Sequence, residues 1–92
     1  MVNLSKCNIG DKFKFTPRSS WARSCRSNQQ GYIFELYEIR IARHGSGRIE
    51  YCLWLPKDHD NRIYIANHPP YFEDIDLIHE NLVEFNTRRI SI

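Results

Sequence analysis

The chain has 92 residues, of which 41% are hydrophobic, 13% aromatic and 26% charged, with a formal net charge of +2. That length supports one small domain over residues 1–92 with a modest core, and the apolar content excludes disorder of the whole chain. No apolar run approaches the ~20 residues of a membrane-spanning helix, the amino terminus lacks the charged-then-apolar order of a signal peptide, and so small a net charge excludes a dedicated chromatin-type binder. A cytoplasmic protein without a membrane partner is expected.

The first predicted element is a strand in Ile9-Gly10-Asp11-Lys12-Phe13-Lys14-Phe15-Thr16. Phe13 and Phe15 alternate with Lys12 and Lys14, so the phenylalanines point inward and the lysines outward; a Gly-Asp turn opens the strand and Pro17 ends it. Residues 17–30 read as a long polar loop with one large apolar side chain, Trp21, around which a short helix can form. A loop of that length in so small a domain is characteristically functional.

Residues 31–56 form the predicted centre of the fold, two runs joined by the turn His44-Gly45-Ser46-Gly47. In the second run Ile49, Tyr51, Leu53 and Leu55 share one parity, the period-two pattern of a half-buried strand. The first run carries Tyr32, Phe34 and Leu36 on one parity and Tyr37, Ile39 and Ile41 on the other, with Glu35, Glu38 and Arg40 left to water. One extra residue flips every later side chain to the opposite face, so the switch at Leu36-Tyr37 predicts a bulge or sharp coil. A buried helix would also tolerate so many apolar positions, but the dominance of Tyr, Ile and Phe and the short turn favour a strand.

Beyond Pro56, Lys57-Asp58-His59-Asp60-Asn61 reads as a loop and Arg62–Ala66 as a short strand. Asn67–Pro70 is a second loop, because neither proline can join a ladder. From Tyr71 to Leu82 the apolar residues recur at helical spacing and Glu73, Asp74 and Asp76 occupy positions where acids favour a helix start, predicting a short helix. Leu82–Phe85 then serves as a closing strand and Thr87-Arg88-Arg89 as a basic tail.

Gly10-Asp11-Lys12-Phe13, Tyr37-Glu38-Ile39-Arg40, and Tyr71-Phe72-Glu73-Asp74 before Leu82-Val83-Glu84-Phe85 give the chain an outline that resembles small phage-encoded proteins with a Src-homology-3-like barrel. The resemblance implies a mainly β fold: a small SH3-like antiparallel barrel of about five strands, with a long first loop and one short C-terminal helix. It also implies a binding module acting on host machinery, in the host cytoplasm, with no catalytic residues to carry over. Residues 17–30 are longer than the corresponding connection in that group.

Charge is distributed unevenly. Residues 1–30 hold six basic groups (Lys6, Lys12, Lys14, Arg18, Arg23, Arg26) against one acid, Asp11, whereas residues 31–92 hold seven basic and ten acidic groups. Cations around an exposed aromatic are the usual surface for single-stranded nucleic acid. The candidate site is therefore Lys12, Lys14, Arg18, Trp21, Arg23 and Arg26, extended by Tyr32 and Arg48, and the expected partner is RNA or another single strand. The competing reading is a host-protein inhibitor that docks through an aromatic or acidic face, without nucleic acid. An enzyme is not expected, since no acid–base pair or nucleophile stands at a telling spacing.

Cys7, Cys25 and Cys52 lack metal-ligand spacing and read as free thiols. Cys25 has basic neighbours that favour a thiolate but no nearby histidine in sequence to serve as base. His44, His59, His68 and His79 are spaced unlike a metal frame, and Lys57–Asn61 lacks the glycine and distant glutamate of a calcium loop. Neither metal nor cofactor is expected. Gly45-Ser46-Gly47 is followed by neither a Lys-Ser/Thr pair nor a helix, so it is a turn rather than a phosphate loop.

Overall fold

The computed structural model describes residues 1–42, 47–66, 71–81 and 90–91. Its strands are β1 (Val2–Asn3), β2 (Lys12–Phe15), β3 (Ile33–Ile41), β4 (Ile49–Leu55), β5 (Asp58–Ile65), β6 (Tyr71–Phe72), β7 (Ile75–His79) and β8 (Ile90–Ser91), with one α-helix among the described residues, α1 (Ser20–Cys25), and single 3-10 turns at Leu4–Lys6 and Ser27–Gln29. Five strands form an antiparallel sheet in the order β5-β4-β3-β2-β7; β8 adds a short parallel pairing to β3, and β1 pairs with β6 apart from the sheet. Among the described residues β5 and β7 do not pair, so this is an open sheet rather than a closed barrel.

Period-two alternation decides which side is covered. Phe13 and Phe15 of β2, Phe34, Leu36 and Ile39 of β3, Tyr51 and Leu53 of β4, Ile63 and Ile65 of β5 and Ile75 of β7 are all buried in one cluster. Leu4, Cys7, Ala22 and Phe72 complete that cluster from the segments outside the five strands. Phe15 and Phe34 meet edge to face at 5.7 Å, and truncating either to Ala would cost about 3–5 kcal/mol.

The predicted bulge in β3 is present. Leu36 pairs with Leu53 and Glu38 with Cys52, so Tyr37 is the extra residue, and Ile39 returns to the core opposite Tyr51. Tyr37 itself is not in the core, because a bulged residue leaves the ladder's alternation. Of the turn between β3 and β4 only Gly47 is described, in the left-handed region at φ 71°.

The connection after β2 is ordered rather than a structureless loop. Ser19 caps α1, its Oγ accepting from the Ala22 amide at 3.1 Å, and Ala22 anchors the helix in the core. The anchor upstream is Asp74. This buried carboxylate accepts from the backbone amides of Arg18 (2.6 Å) and Ser19 (2.7 Å) and from the Ser19 hydroxyl (2.6 Å).

That use of Asp74 also explains a correction. Residues 71–79 form β6 and β7, not the expected short C-terminal helix, because Ile75 and Leu77 pair with Phe15 and Phe13 while the acid read as a helix start is occupied by another segment. Likewise 58–61 belong to β5 rather than to a loop. The expected strand at 82–85 and basic tail at 87–89 lie outside the described residues.

At the start of β2, Asp11 plays the part that Asp74 plays at α1, accepting from the amides of Asn8 (2.8 Å) and Asn81 (2.6 Å). Gly10 has φ 95°, and a Cβ there would lie 2.5 Å from Asn81 Nδ2, so glycine is required by both conformation and space. No described helix is long and apolar enough to cross a membrane.

Candidate nucleic-acid interface

The sheet face opposite the core carries the chemistry. One cross-strand row runs through all five strands, His79 of β7, Lys12 of β2, Glu35 of β3, Trp54 of β4 and Arg62 of β5, each paired with the next. Alternation sends these side chains outward because Phe13, Phe34, Leu53 and Ile63, their chain neighbours or near neighbours, point inward.

Two irregularities turn the middle of this row into a stack of rings. Tyr37, released from the ladder by the β3 bulge, lies against Trp54 at 4.0 Å between centroids and 16° between planes. On β5, Asp58 pairs with Leu55 and Arg62 with Trp54, which leaves His59, Asp60 and Asn61 unpaired. That outward bulge lays the His59 imidazole on the other side of Trp54, at 3.7 Å and 6°. The Arg62 guanidinium lies 5.5 Å from the Trp54 centroid and 5.7 Å from that of Tyr37, and its Nε donates to the His59 carbonyl. Trp54 Nε1 donates to Glu35 Oε1 at 3.3 Å.

Alongside the stack the charges are largely balanced. Arg40 Nε donates to Glu50 at 2.6 Å and Nη1 to Glu38 at 3.4 Å, and its guanidinium covers the Tyr64 ring at 5.0 Å. Hydrogen bonding to Glu50 raises the Arg40 pKa further. Burial pushes the Cys52 thiol up to about 12, leaving it protonated and unreactive at neutral pH. Burial likewise raises the Tyr37 phenol, whose oxygen lies near the Tyr64 hydroxyl without a well-aligned hydrogen bond. The Tyr64 phenol is shifted down, first by its hydrogen bond from Arg62.

Two concavities flank the β4–β5 turn. An apolar groove of about 420 Å³ is lined by Lys12, Tyr32, Ile33, Leu55, Pro56 and Lys57. A cleft of about 250 Å³ is lined by Pro56, Lys57, Asp58, His59 and Asp60, so the two share Pro56 and Lys57. The ion pairs among the described residues use Arg18 and Arg40, whereas Lys12, Lys14, Arg23 and Lys57 take part in none.

The residues expected to bind nucleic acid are thereby divided. Lys12 and Tyr32 come together in the groove, with Lys14 exposed two residues along β2. Trp21 is 43% exposed on α1, on the core side of the sheet, with its ring 6.5 Å from Phe72 and Arg26 5.5 Å over it. Arg23 is exposed on the same helix. Arg18 is committed to Asp76 at 2.6 Å and to the Glu73 carbonyl. Arg26 is committed to Gln29 (2.9 Å), Asn61 (3.3 Å) and the Arg62 carbonyl (3.0 Å), along a polar pocket of about 440 Å³. Arg48 donates to the Ala66 carbonyl at 3.4 Å.

Sequence reading missed Tyr37, Trp54, Lys57, His59 and Arg62. The outward parity of Cys52, Trp54, Arg62 and Tyr64 was available from alternation, but the stacking of His59 on Trp54 depends on a bulge with no local signature. Among the described residues no group of three or more His, Cys, Asp or Glu is placed to hold a metal ion and no disulfide forms, with Cys7 and Cys52 buried and Cys25 exposed. The chain matches no protein-family model, no curated protein and no solved structure.

Proposed function

We propose that this protein is a non-catalytic module that binds single-stranded nucleic acid, RNA foremost, across the outward face of its sheet. The observation that carries the reading is the groove in which Lys12 and Lys57, neither of them in an ion pair among the described residues, line an apolar surface that includes Tyr32, which is 42% exposed. An aromatic ring with flanking ammonium groups suits a stacked base and its phosphates, and an apolar floor without fixed polar partners suits binding that tolerates many sequences. The resemblance to phage-encoded barrel proteins extends the proposal: a Src-homology-3-like module, in the host cytoplasm, that occupies a defence or nucleic-acid-processing protein of the host.

The test is fluorescence anisotropy with labelled single-stranded RNA across a salt series. Lys12, Lys14 and Lys57 would give about three phosphate contacts, and thus a log–log slope of roughly −2. Absence of binding at low salt would end this reading.

The exposure of Leu77 (43%) and Ile78 (52%) on β7, which ends the sheet among the described residues, favours a second reading, in which a protein partner adds a strand there. Capture of a partner that survives both nuclease and high salt, and is lost on Ile78→Lys, would support it.

A further inference from the structure

We infer that the cleft beside His59 is a second base subsite, specific for guanine, adjoining the Tyr32 groove. This rests on the nucleic-acid reading above and gives it a sequence preference.

Three features of the cleft converge. First, His59 ends a near-parallel stack: Trp54 covers one face of the imidazole, and His59, an exposed residue, lines the cleft. A purine entering the cleft would extend the column Tyr37–Trp54–His59 by one ring, and bases stack on aromatic side chains because each presents a π-face.

Second, Lys57 lines both the cleft and the groove. Bases of neighbouring nucleotides held on the two sides of the β4–β5 turn would be joined by a phosphate that passes Lys57. The shared Lys57 therefore suits a dinucleotide step rather than two unrelated ligands.

Third, the two carboxylates of the cleft, Asp58 and Asp60, accept hydrogen bonds and repel phosphate, which leaves the phosphate to Lys57. Asp58 and Asp60 form no ion pair or side-chain hydrogen bond among the described residues, so their oxygens are available. A carboxylate accepts only. Guanine presents two adjacent donors, N1–H and the N2 amino group, which match two carboxylate oxygens. Adenine and cytosine set a ring acceptor beside their amino group, and uracil places its one N–H between two carbonyls. Each of those edges would bring an oxygen or nitrogen lone pair against the carboxylate. Guanine is the base that the cleft's chemistry accepts.

The experiment compares a uridine heptamer with the same heptamer carrying one central guanosine, by anisotropy at 50 mM salt, on the intact protein. The guanosine oligomer is expected to bind about tenfold more tightly, the size of one good bidentate contact. Inosine, lacking the N2 amino group, should lose most of that gain. In the Asp58→Asn/Asp60→Asn double variant the two heptamers should bind alike, while the uridine heptamer binds at least as well as to wild type. His59→Ala should reduce the guanosine advantage without abolishing uridine binding.

Measurable uridine binding with no guanosine advantage overturns the guanine subsite and leaves the general nucleic-acid reading standing. A guanosine advantage that persists in the double aspartate variant also overturns it. Failure of every oligomer to bind removes both.

Discussion

Trp54 and His59 stack at 3.7 Å with 6° between their ring planes, although Trp54 pairs across the ladder with Arg62 and not with His59. The contact exists because β5 spends three residues outside the pairing, enough chain to fold the imidazole back over its neighbour strand. The same excursion opens the cleft beside the β4–β5 turn. Removing the imidazole should therefore loosen the turn as well as the stack: His59→Ala is expected to lower stability by about 1 kcal/mol, with His59→Phe close to wild type, read from urea midpoints at unchanged m-value.

Asp74 joins two segments distant in sequence through hydrogen bonds to the amides of Arg18 and Ser19 and to the Ser19 hydroxyl. Asp74→Ala leaves those donors buried without an acceptor and should cost about 2–4 kcal/mol. Hydrogen exchange at the Arg18, Ser19 and Ala22 amides should accelerate before that of β3 and β4.

On the proposed nucleic-acid reading, the contributions of basic residues to RNA binding should split according to their prior commitments. Lys12→Glu and Lys57→Glu are expected to weaken single-strand binding by about tenfold each at 50 mM salt and to flatten the salt slope. Arg18→Ala and Arg26→Ala, whose guanidinium groups already serve acceptors within the protein, should change affinity by less than about twofold. The reverse pattern would return the interface to residues 17–30.

Thiol reactivity should distinguish Cys25 from the other two cysteines. At pH 8 in the folded protein only the exposed Cys25 should be modified rapidly by an aromatic disulfide reagent, since Cys7 and Cys52 are buried. Burial raises the Cys52 thiol from an ordinary 9.0 to about 12, so the folded state holds its proton where the unfolded chain releases it. Its contribution to stability is present below pH 9 and declines as pH rises toward 12. Thermal melts of wild type and Cys52→Ala over that window should show a steeper alkaline loss for wild type.

Alternation within single strands was enough to identify β2, β3 and β4, the inward phenylalanines and the bulge at Tyr37. Each of those depends on side chains two residues apart falling on one face, a property of the local chain. The tyrosine of the groove and one of its lysines were legible for the same reason, as an aromatic and a cation near a strand start.

The rest was decided by pairings between distant segments. Residues 71–79 carry helical spacing, yet Phe13 and Phe15 offered a ladder to Leu77 and Ile75, and Asp74 was drawn to the amides of Arg18 and Ser19. Arg18 and Arg26 looked available to a polyanion until folding brought Asp76 and Asn61 to them. Composition and periodicity determined a mainly β chain with one apolar and one polar face. Which cations stayed unpaired, and which rings came to rest on one another, followed from register, because burial of the common core sets the positions of strands that are far apart in the chain.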